Sequence, residues 1–380
     1  MMEGQGASLR IRYLEQDEKR KTMDLWREAF PEDSESFLAY YYEEKTRDNR
    51  ILVLEEEDGG GFRIVSMVHR NPYRLQTGKG RILSDYIVAV ATAGDRRRRG
   101  YMKMLLTRMM EDMHREGMPF CYLMPADRRI YEPFGFAFIY DQEHWKLTEE
   151  AEEKLRKKIA GEEDADTAGA WMDQWLADRY QVFAVREGSY TKRLLKELES
   201  EKGRMEFLFL PETGRGTGEP AGIRCVWGDG KQEQRMLMCG PEYREEEKSP
   251  SPAIMARIID VKRCLEMVRL KKDSSAEAME ILIHVKDRVC PWNQGRFLWK
   301  LDRQGSAAVK LDEIRPGERE DGTSRERAGS PEHRTDMEIR QLTQWIFGYE
   351  DLPERTGGEK SDPWQQDIQV WKGVFLDEAV

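Results

Sequence analysis

The sequence predicts an α/β (α+β) protein of more than one domain, with mixed and largely antiparallel sheets. Its 380 residues exceed what a single hydrophobic core usually serves. Hydrophobic residues make up 39% of the chain and charged residues 35%, which is enough apolar mass for folded cores. Short alternating segments between glycine turns are mixed with segments of helical spacing, so both strands and helices are expected.

The first domain is expected to span residues 1–148. Its expected elements are, in order, a strand at 11–13, helices at 22–30 and 34–45, strands at 51–55, 62–69, 73–75 and 81–92, a helix at 101–116 and a strand at 120–124. Glycine-rich turns at 59–61 and 77–80 separate neighbouring strands, so these strands should form an antiparallel meander. The charged segment after 148 is typical of an exposed connector.

Two further domains are expected, at 149–252 and 253–380. For the second, the pattern predicts a strand at 180–186, a helix at 190–198, and strands at 205–210, 222–227 and 235–239. The composition of residues 241–252 is typical of a linker. For the third, it predicts a helix at 256–270, strands at 280–286 and 295–301, a charged loop at 315–334 and a helix at 336–347.

The composition also narrows the function classes. Lys and Arg total 62 against 72 Asp and Glu, a formal charge of -10 that disfavours non-specific nucleic-acid binding and favours cationic small partners. No stretch is long and apolar enough for a membrane helix, and residues 1–10 lack a secretory apolar run, so a cytoplasmic protein without a membrane partner is expected. The cysteines form no CxxC pair and the histidines show no metal-ligand spacing, so no metal is expected.

A strand ending in IVAVAT runs through an arginine-rich loop into a helix, over residues 87–102. A helix N-terminus leaves backbone N–H groups unpaired and carries positive partial charge, which suits a phosphate. Gly100 lets the backbone approach such a group closely, and the flanking arginines add charge-assisted hydrogen bonds. The alternatives are a solvated basic run and a nucleic-acid patch, and the strand-to-helix context favours the phosphate site.

The spacing Arg97-x-x-Gly100-x-Met102 resembles the R/Q-x-x-G-x-G/A signature of the GNAT acetyltransferase superfamily, whose loop holds the pyrophosphate of acetyl-CoA. Met102 departs from the signature, although its backbone amide can still serve. The resemblance implies acetyl-CoA as co-substrate, with its pantetheine arm pairing as an extra strand beyond Val90. The residues it implies for cofactor binding are Val90, Ala91, Thr92, Arg97, Arg98, Arg99, Gly100, Tyr101 and Met102.

An aromatic run, Tyr131-Glu-Pro-Phe-Gly-Phe136, follows the strand at 120–124. It resembles the short helix ending in Y-x-x-x-G-F that lies beside the thiol end of coenzyme A in GNAT enzymes. The resemblance therefore implies that Tyr131 is catalytic. A phenol, with a reference pKa of about 10, is protonated at neutral pH and suited to protonate a departing thiolate as general acid. The alternative for all three aromatics is ordinary core packing, which we expect for Phe134 and Phe136.

The chain as a whole resembles the enhanced intracellular survival (Eis) type of GNAT acetyltransferase. The segments that carry this resemblance are 25–37, 71–73, 87–92, 255–261, 290–293 and 342–349, in the family's order. It implies two tandem GNAT-like domains followed by a sterol-carrier-protein-like α/β domain, and assembly into oligomers, often hexamers. The second domain lacks the R-x-x-G-x-G/A loop, so we expect it to be non-catalytic, with one acetyl-CoA per chain, bound by the first domain.

The Eis resemblance also implies that the C-terminal carboxylate enters the active site of the first domain and acts as base. That carboxylate belongs to Val380, at the end of an apolar and acidic segment that suits burial. An α-carboxyl group has a reference pKa of about 3.3 to 3.7, so it is ionised at neutral pH and can accept the proton of an ammonium group. The alternative is an ordinary surface tail.

The expected acceptor pocket is walled by Trp26, Tyr41 and Tyr86, for which core packing is the alternative. The expected function is N-acetylation of a primary amine on a cationic acceptor, such as an aminoglycoside, a polyamine or a lysine side chain. The amine would attack acetyl-CoA directly, without a covalent enzyme intermediate. Two other hypotheses remain open: a non-catalytic sensor that binds acyl-CoA or a lipid, and a nucleic-acid protein that uses residues 96–99.

Overall fold

The computed structural model describes residues 8–211, 218–228, 233–311, 333–352 and 363–378. Within these ranges the helices are α1 (Met23–Ala29), α2 (Glu35–Glu44), α3 (Tyr101–Arg115), α4 (Arg128–Tyr131), α5 (Glu149–Lys154), α6 (Ala165–Ala177), α7 (Gly188–Ser200), α8 (Val261–Leu265) and α9 (Ile339–Ile346). None of the helices in the described ranges is both long enough and apolar enough to cross a bilayer.

The strands of the described ranges are β1 (Leu9–Tyr13), β2 (Arg50–Asp58), β3 (Gly61–Thr77), β4 (Gly80–Thr92), β5 (Phe120–Leu123), β6 (Ala137–Leu147), β7 (Arg156–Ile159), β8 (Val182–Ala184), β9 (Arg204–Phe209), β10 (Gly222–Trp227), β11 (Glu233–Cys239), β12 (Arg244–Ile258), β13 (Arg269–Leu270), β14 (Ala278–Lys286), β15 (Gly295–Asp302), β16 (Ser306–Lys310), β17 (His333–Glu338), β18 (Ile368–Gln369) and β19 (Val374–Phe375).

The largest sheet has the strand order β1-β2-β3-β4-β5-β12-β6, and β8 joins it beside the end of β3. We call the strands of the path β1-β2-β3-β4-β5-β12-β6, together with α1–α4, the first unit. Strands β1–β4 form the antiparallel meander that the sequence predicts, with the expected strands at 62–69 and 73–75 joined into β3. Strand β5 runs parallel to β4, and the two share a single registered pair, Tyr86 with Tyr122. Beyond this pair the sheet opens between them.

Both faces of this sheet are covered by helices, so the strands are apolar on both sides. On β2, Ile51 and Val53 pack with α1 and α2, while Leu52 and Leu54 pack with α3. Successive residues of a strand point to opposite faces, so the continuous run ILVL serves two cores at once.

The expected linker at 241–252 is instead the first part of β12, which inserts between β5 and β6. Its polar side chains point to solvent, so the charged composition is compatible with a strand. The register against β6 shifts at several points along the segment that contains Pro250 and Pro252, because a proline cannot donate to the ladder. The helix expected at 256–270 is reduced to α8, since Ala256 and Ile258 complete β12 in the buried part of the sheet.

Three smaller sheets complete the described chain, and the smallest is the two-stranded pair β13-β18. The second unit is the sheet β11-β10-β9-β7 with α6, α7 and the strand β8 that leads into α7. The third unit is the sheet β16-β15-β14-β17 with α8 and α9, and its interior is filled by buried tryptophans: Trp299, Trp345 and Trp364. The helix expected at 336–347 begins later, after β17. Of the charged loop expected at 315–334, only His333 and Arg334 lie within the described residues, where they begin β17.

A fully buried arginine ties the third unit to the first. Arg257 of β12 donates through Nη2 to Asp287 at 2.6 Å and through Nε to the Phe134 carbonyl at 2.7 Å. Asp287 also accepts from the Cys290 backbone at 3.0 Å and the Asn293 side chain at 3.2 Å. The turn that follows α4 is therefore held by residues from much later in the chain.

We expect Asp287→Asn to lower the free energy of unfolding by about 3 to 5 kcal/mol, because it leaves the buried Arg257 charge without its partner. Urea denaturation followed by tryptophan fluorescence measures this. The matched control is Glu245→Gln on β12, the strand that also carries Arg257. This change breaks the half-exposed ion pair between Glu245 and Lys146 and should lower the free energy of unfolding by no more than about 1 kcal/mol. Equal losses in the two variants would contradict the assignment.

Candidate active site

The first turn of α3 is open at its N-terminus. Gly100 is the N-cap residue, with φ at +82°, and no side chain caps the helix. A Cβ placed on Gly100 would meet no atom within 4 Å. The backbone N–H groups of the first turn therefore face open space at the end of β4, as an anion site requires.

Two of the loop arginines turn back onto the protein. Arg96 and Arg99 both bond the buried carboxylate of Glu56, Arg99 through Nη1 at 3.4 Å. The Tyr101 hydroxyl donates to the same carboxylate at 3.0 Å. The hydrogen bond from Arg96 lowers the pKa of Glu56, so this carboxylate stays charged and anchors the loop.

The other two arginines are exposed beside the open helix end. Arg97 Nε donates to the Thr92 carbonyl at 3.2 Å, which ties the loop to the end of β4. Arg98 has a left-handed backbone, with φ at +64°, and we find no partner for its guanidinium within the described residues. Arg96 and Arg99 are thus paired with acidic side chains, Arg96 with both Glu56 and Asp95, which suits a compact phosphate site better than a nucleic-acid patch.

A β-bulge interrupts β4 just before the loop. Met67 pairs with Ala91 and His69 pairs with Val88, so two residues of β4, Ala89 and Val90, face one residue of β3. Ala89 has φ at +51°. A bulge leaves one residue unpaired in the ladder, and bulges often lie next to active sites. On the other edge of β4, β5 pairs only at Tyr86, so the backbone groups near Val90 that face the gap between β4 and β5 have no strand partner there.

Tyr131 is the last residue of α4, on the α3 side of the sheet. The Asp127 side chain caps this short helix by accepting from the Arg129 backbone at 2.9 Å. The Tyr131 ring packs edge-on against Phe136, with centroids 5.8 Å apart, and its hydroxyl bonds no other described residue. Burial raises the pKa of Tyr131 to about 12, so the hydroxyl keeps its proton at neutral pH. Phe134 is a core residue, as expected.

A cavity of about 290 Å3 lies between the first and second units, on the α2 side of the sheet. Tyr73 and Leu83 line it from the first unit and Tyr190 from the second. Most acidic groups on its wall are neutralised by a basic neighbour; for example, Lys45 Nζ lies 3.0 Å from Glu197 Oε2. The wall therefore carries paired charges and aromatic rings.

The end of the described chain reaches this cavity. Strand β19 pairs with β8, and the residues that follow it are buried, with Glu378 lining the cavity. Arg235 Nη1 lies 3.2 Å from Asp377 Oδ2, and the Tyr190 hydroxyl lies 3.4 Å from Glu378 Oε1. A surface tail is therefore wrong for the residues up to Glu378. Val380 lies outside the described residues, and its role as base stays a prediction.

The three aromatic residues expected around the acceptor have different positions. Tyr86 lies in a tyrosine cluster behind the cavity, its ring 6.3 Å from that of Tyr73. Trp26 and Tyr41 lie in the core beneath α1 and α2, with centroids 4.5 Å apart, and do not line the cavity. Trp26 donates to Asp33 at 2.6 Å, so its polar atom is used within the first unit.

Sequence reasoning missed Tyr190 and Glu378 as cavity residues. They lie in the second unit and in the tail, and only the tertiary structure brings them to the first unit. The signal that was available is weak: an acidic pair, Asp377 and Glu378, inside an otherwise apolar ending. The sequence could have indicated Tyr73 as a cavity residue, because it is the last residue of segment 71–73, one of the segments that carry the family resemblance.

Within its described residues, the second unit has no equivalent of the α3 site. Helix α7 follows β8 as α3 follows β4, but a Cβ on Gly188 would clash with the Asp166 carboxylate. A carboxylate therefore fills the space beside the N-terminus of α7, and one acetyl-CoA per chain stays a prediction. Among the described residues, we also find no group of three or more His, Cys, Asp or Glu side chains arranged for a metal.

Comparisons with known proteins match two parts of the chain. Residues 10–139 match the family model described as an acetyltransferase (GNAT) domain, and residues 261–356 match a sterol carrier protein domain. The chain is 22% identical over 327 residues to a protein of Streptomyces coelicolor named an uncharacterized N-acetyltransferase, covering 72% of this chain and 78% of that one.

Solved structures share the whole fold. A GCN5-related N-acetyltransferase from Kribbella flavida has a TM-score of 0.71 and 15% identity, with 99% of each chain covered. Eis1 from Mycobacterium abscessus has a TM-score of 0.64 and 12% identity, covering 98% of this chain and 100% of that one. The fold class, a GNAT domain in the first part of the chain and a sterol-carrier-protein-like domain in its last part are confirmed, while the second GNAT-like domain and the domain bounds stay predictions.

Gly100→Ala should weaken coenzyme A binding about tenfold, measured by isothermal titration calorimetry. The added Cβ enters the space that a phosphate would occupy, and a left-handed alanine costs about 1 to 2 kcal/mol. The control is Gly59→Ala, at φ +59° in the turn between β2 and β3, which carries the same backbone strain away from the loop. Equal affinity for coenzyme A in the two variants would contradict a phosphate site at the first turn of α3.

Proposed function

We propose that this chain, an acetyltransferase of the GNAT type with a sterol carrier protein domain, moves the acetyl group of acetyl-CoA to a primary amine of a cationic acceptor. The observation that carries the proposal is the open first turn of α3, placed at the end of β4 beside the gap between β4 and β5. In this proposal the pyrophosphate lies at the helix end of the gap, and the acceptor approaches from the cavity on the α2 side of the sheet.

Acetyl-CoA fits the residues that surround this gap. The N–H groups of the first turn of α3, with Arg97 and Arg98, would hold the pyrophosphate. Backbone groups of β4 around Val90 and Thr92 would pair with the amides of the pantetheine arm, because β5 leaves that edge unpaired. An N–H group near Val90 would also stabilise the oxyanion that develops on the thioester carbonyl.

Direct attack by the amine accounts for the chemistry. The acceptor's ammonium group first gives one proton to a carboxylate of the tail, and the free lone pair forms the N–C bond while the carbonyl electrons move to oxygen. The carbonyl then re-forms and the C–S bond breaks. Tyr131 donates its proton to the leaving thiolate and regains one from the acetylated nitrogen. The terminal carboxylate of Val380 remains our predicted proton acceptor.

The acceptor would bind in the cavity between the first and second units. The net charge of -10 steers a cationic amine towards the protein, although most charges on the cavity wall are already paired. An aminoglycoside, a polyamine and a lysine side chain remain the proposed acceptor classes. From the family resemblance we also propose a cytoplasmic location and an oligomeric assembly.

Turnover is tested by mixing the purified protein with acetyl-CoA and a panel of polyamines, aminoglycosides and lysine peptides, and following the release of free thiol. We expect thiol release that depends on the amine, with the acetylated amine seen by mass spectrometry. Coenzyme A binding without thiol release from any amine would favour the non-catalytic acyl-CoA or lipid sensor instead.

Tyr131→Phe should lower kcat roughly a hundredfold and leave the Kd for acetyl-CoA unchanged, because it removes the proton donor and keeps the ring. Steady-state kinetics and calorimetry measure the two quantities. The control is Tyr42→Phe, which removes another buried hydroxyl, hydrogen-bonded to Thr22 at 2.7 Å, and should leave kcat unchanged. Unchanged turnover in Tyr131→Phe would remove this residue from the role of acid.

A further inference from the structure

A buried arginine of the second unit faces the tail at the cavity. Arg186 follows β8, is 1% exposed and bonds the Tyr190 hydroxyl. Its Nη2 atom lies 3.6 Å from Asp377 Oδ1 and 3.7 Å from Glu378 Oε1. Its guanidinium also lies 5.9 Å from the Phe375 ring, so the arginine contacts the tail along several residues.

Strand pairing puts these residues together. Strand β19 runs parallel to β8, with Val374 opposite Val182 and Phe375 opposite Phe183. Continuing that register places Glu378 opposite Arg186. The position of the Glu378 carboxylate therefore depends on the backbone pairing of β19 with β8, and the same register brings Glu378 next to Arg186.

The ionic contact is loose enough to leave one oxygen available. Glu378 Oε2 is buried and has no hydrogen-bond partner within the described residues, and Arg186 Nη2 has none either. Both Arg186 distances exceed that of a direct hydrogen bond, so Arg186 attracts the carboxylate by charge, and the Tyr190 hydroxyl donates a hydrogen bond to Glu378 Oε1 at 3.4 Å. A buried polar atom without a partner at a cavity wall is suited to receive a ligand group.

The groups around Glu378 set its charge. Burial raises the pKa of Glu378. The charge of Arg186 lowers this pKa most strongly and that of Arg235 lowers it less, whereas the charge of Asp377 raises it. The other titratable groups that face it are the phenols of four tyrosines: Tyr73, Tyr86, Tyr122 and Tyr190. Without Arg186, a charged carboxylate here would be buried without its main counter-charge, which is strongly unfavourable.

We propose that Arg186 is a positioning residue for the active site of the first unit: it holds the Glu378 carboxylate at the cavity wall, where the ammonium group of the acceptor binds. The inference rests on the proposed acetyltransferase function and gives the second unit a part in it. Arg186 acts through Glu378, which contacts the acceptor. Removal of either residue should therefore impair use of the amine and spare the binding of acetyl-CoA.

A double-mutant cycle tests this coupling. We expect Arg186→Met and Glu378→Gln each to lower kcat/KM for the amine about tenfold to a hundredfold, since small misplacements of a reacting group have effects of this size. The double variant should be no worse than the more impaired single variant, because both act through one contact. Arg186→Lys should recover part of the loss, and the Kd for acetyl-CoA should stay unchanged in every variant.

The matched control is a second arginine–carboxylate pair of the second unit. Arg224 Nη2 lies 2.6 Å from Glu206 Oε2, with side chains 14% and 3% exposed, and neither residue lines the cavity. Arg224→Met and Glu206→Gln should lower stability and leave kcat/KM unchanged. Independent losses that add in the Arg186–Glu378 cycle, or an unchanged kcat/KM in Glu378→Gln, would overturn the inference.

A second measurement does not depend on turnover. Carboxypeptidase digestion followed by mass spectrometry reports how readily the tail leaves its site, and Arg186→Met should release Glu378 and Asp377 at least several-fold faster than the wild type. Equal rates would contradict the positioning role even if Arg186→Met is too unstable for kinetics. An absence of thiol release from the wild-type protein with every amine would instead refute the proposed function.

Discussion

The separation of β4 from β5 is the constraint on which the site depends. The two strands share one registered pair, and β4 then continues to Thr92 with a partner on its β3 side alone. Backbone groups that a closed sheet would pair remain free along this edge, and buried groups of that kind need a partner. The open first turn of α3 follows this free edge in the chain, so the interruption of the sheet leaves an unpaired strand edge and an anion site next to each other.

Residues far apart in the sequence then fix the geometry around this gap. Arg257 reaches from β12 to the Phe134 carbonyl, in the turn that follows Tyr131, and Asp287 of the third unit fixes Arg257 in place. A buried pair of this kind adds little net stability, but it is costly to break because each charge would be left alone. The position of the proposed acid therefore depends on all parts of this network being folded.

In the second unit, the same strand-to-helix connection does not form an anion site beside Gly188. Its strand β8 leads into α7, yet the Asp166 carboxylate fills the space beside Gly188 where a phosphate would lie. What this unit supplies instead is contact with the cavity and the tail: Tyr190 lines the cavity, and Arg186 Nη2 lies 3.7 Å from Glu378 Oε1 of the tail. In the proposed reaction, the second unit contributes to the acceptor side of the site.

The sequence by itself determined the elements that carry local signals. The glycines of the hairpin turns and the apolar spacing of α3 predicted the meander and the helix, and the anion loop could be found because strand, arginines, Gly100 and helix are contiguous. Only the tertiary structure decided that the charged segment from Arg244 is a strand of the first sheet, and that Glu378 lies opposite Arg186 at the cavity. The reason is physical: strand pairing joins backbones whose partners are distant in the chain, and local propensity contains no information about which distant segment will supply the hydrogen bonds.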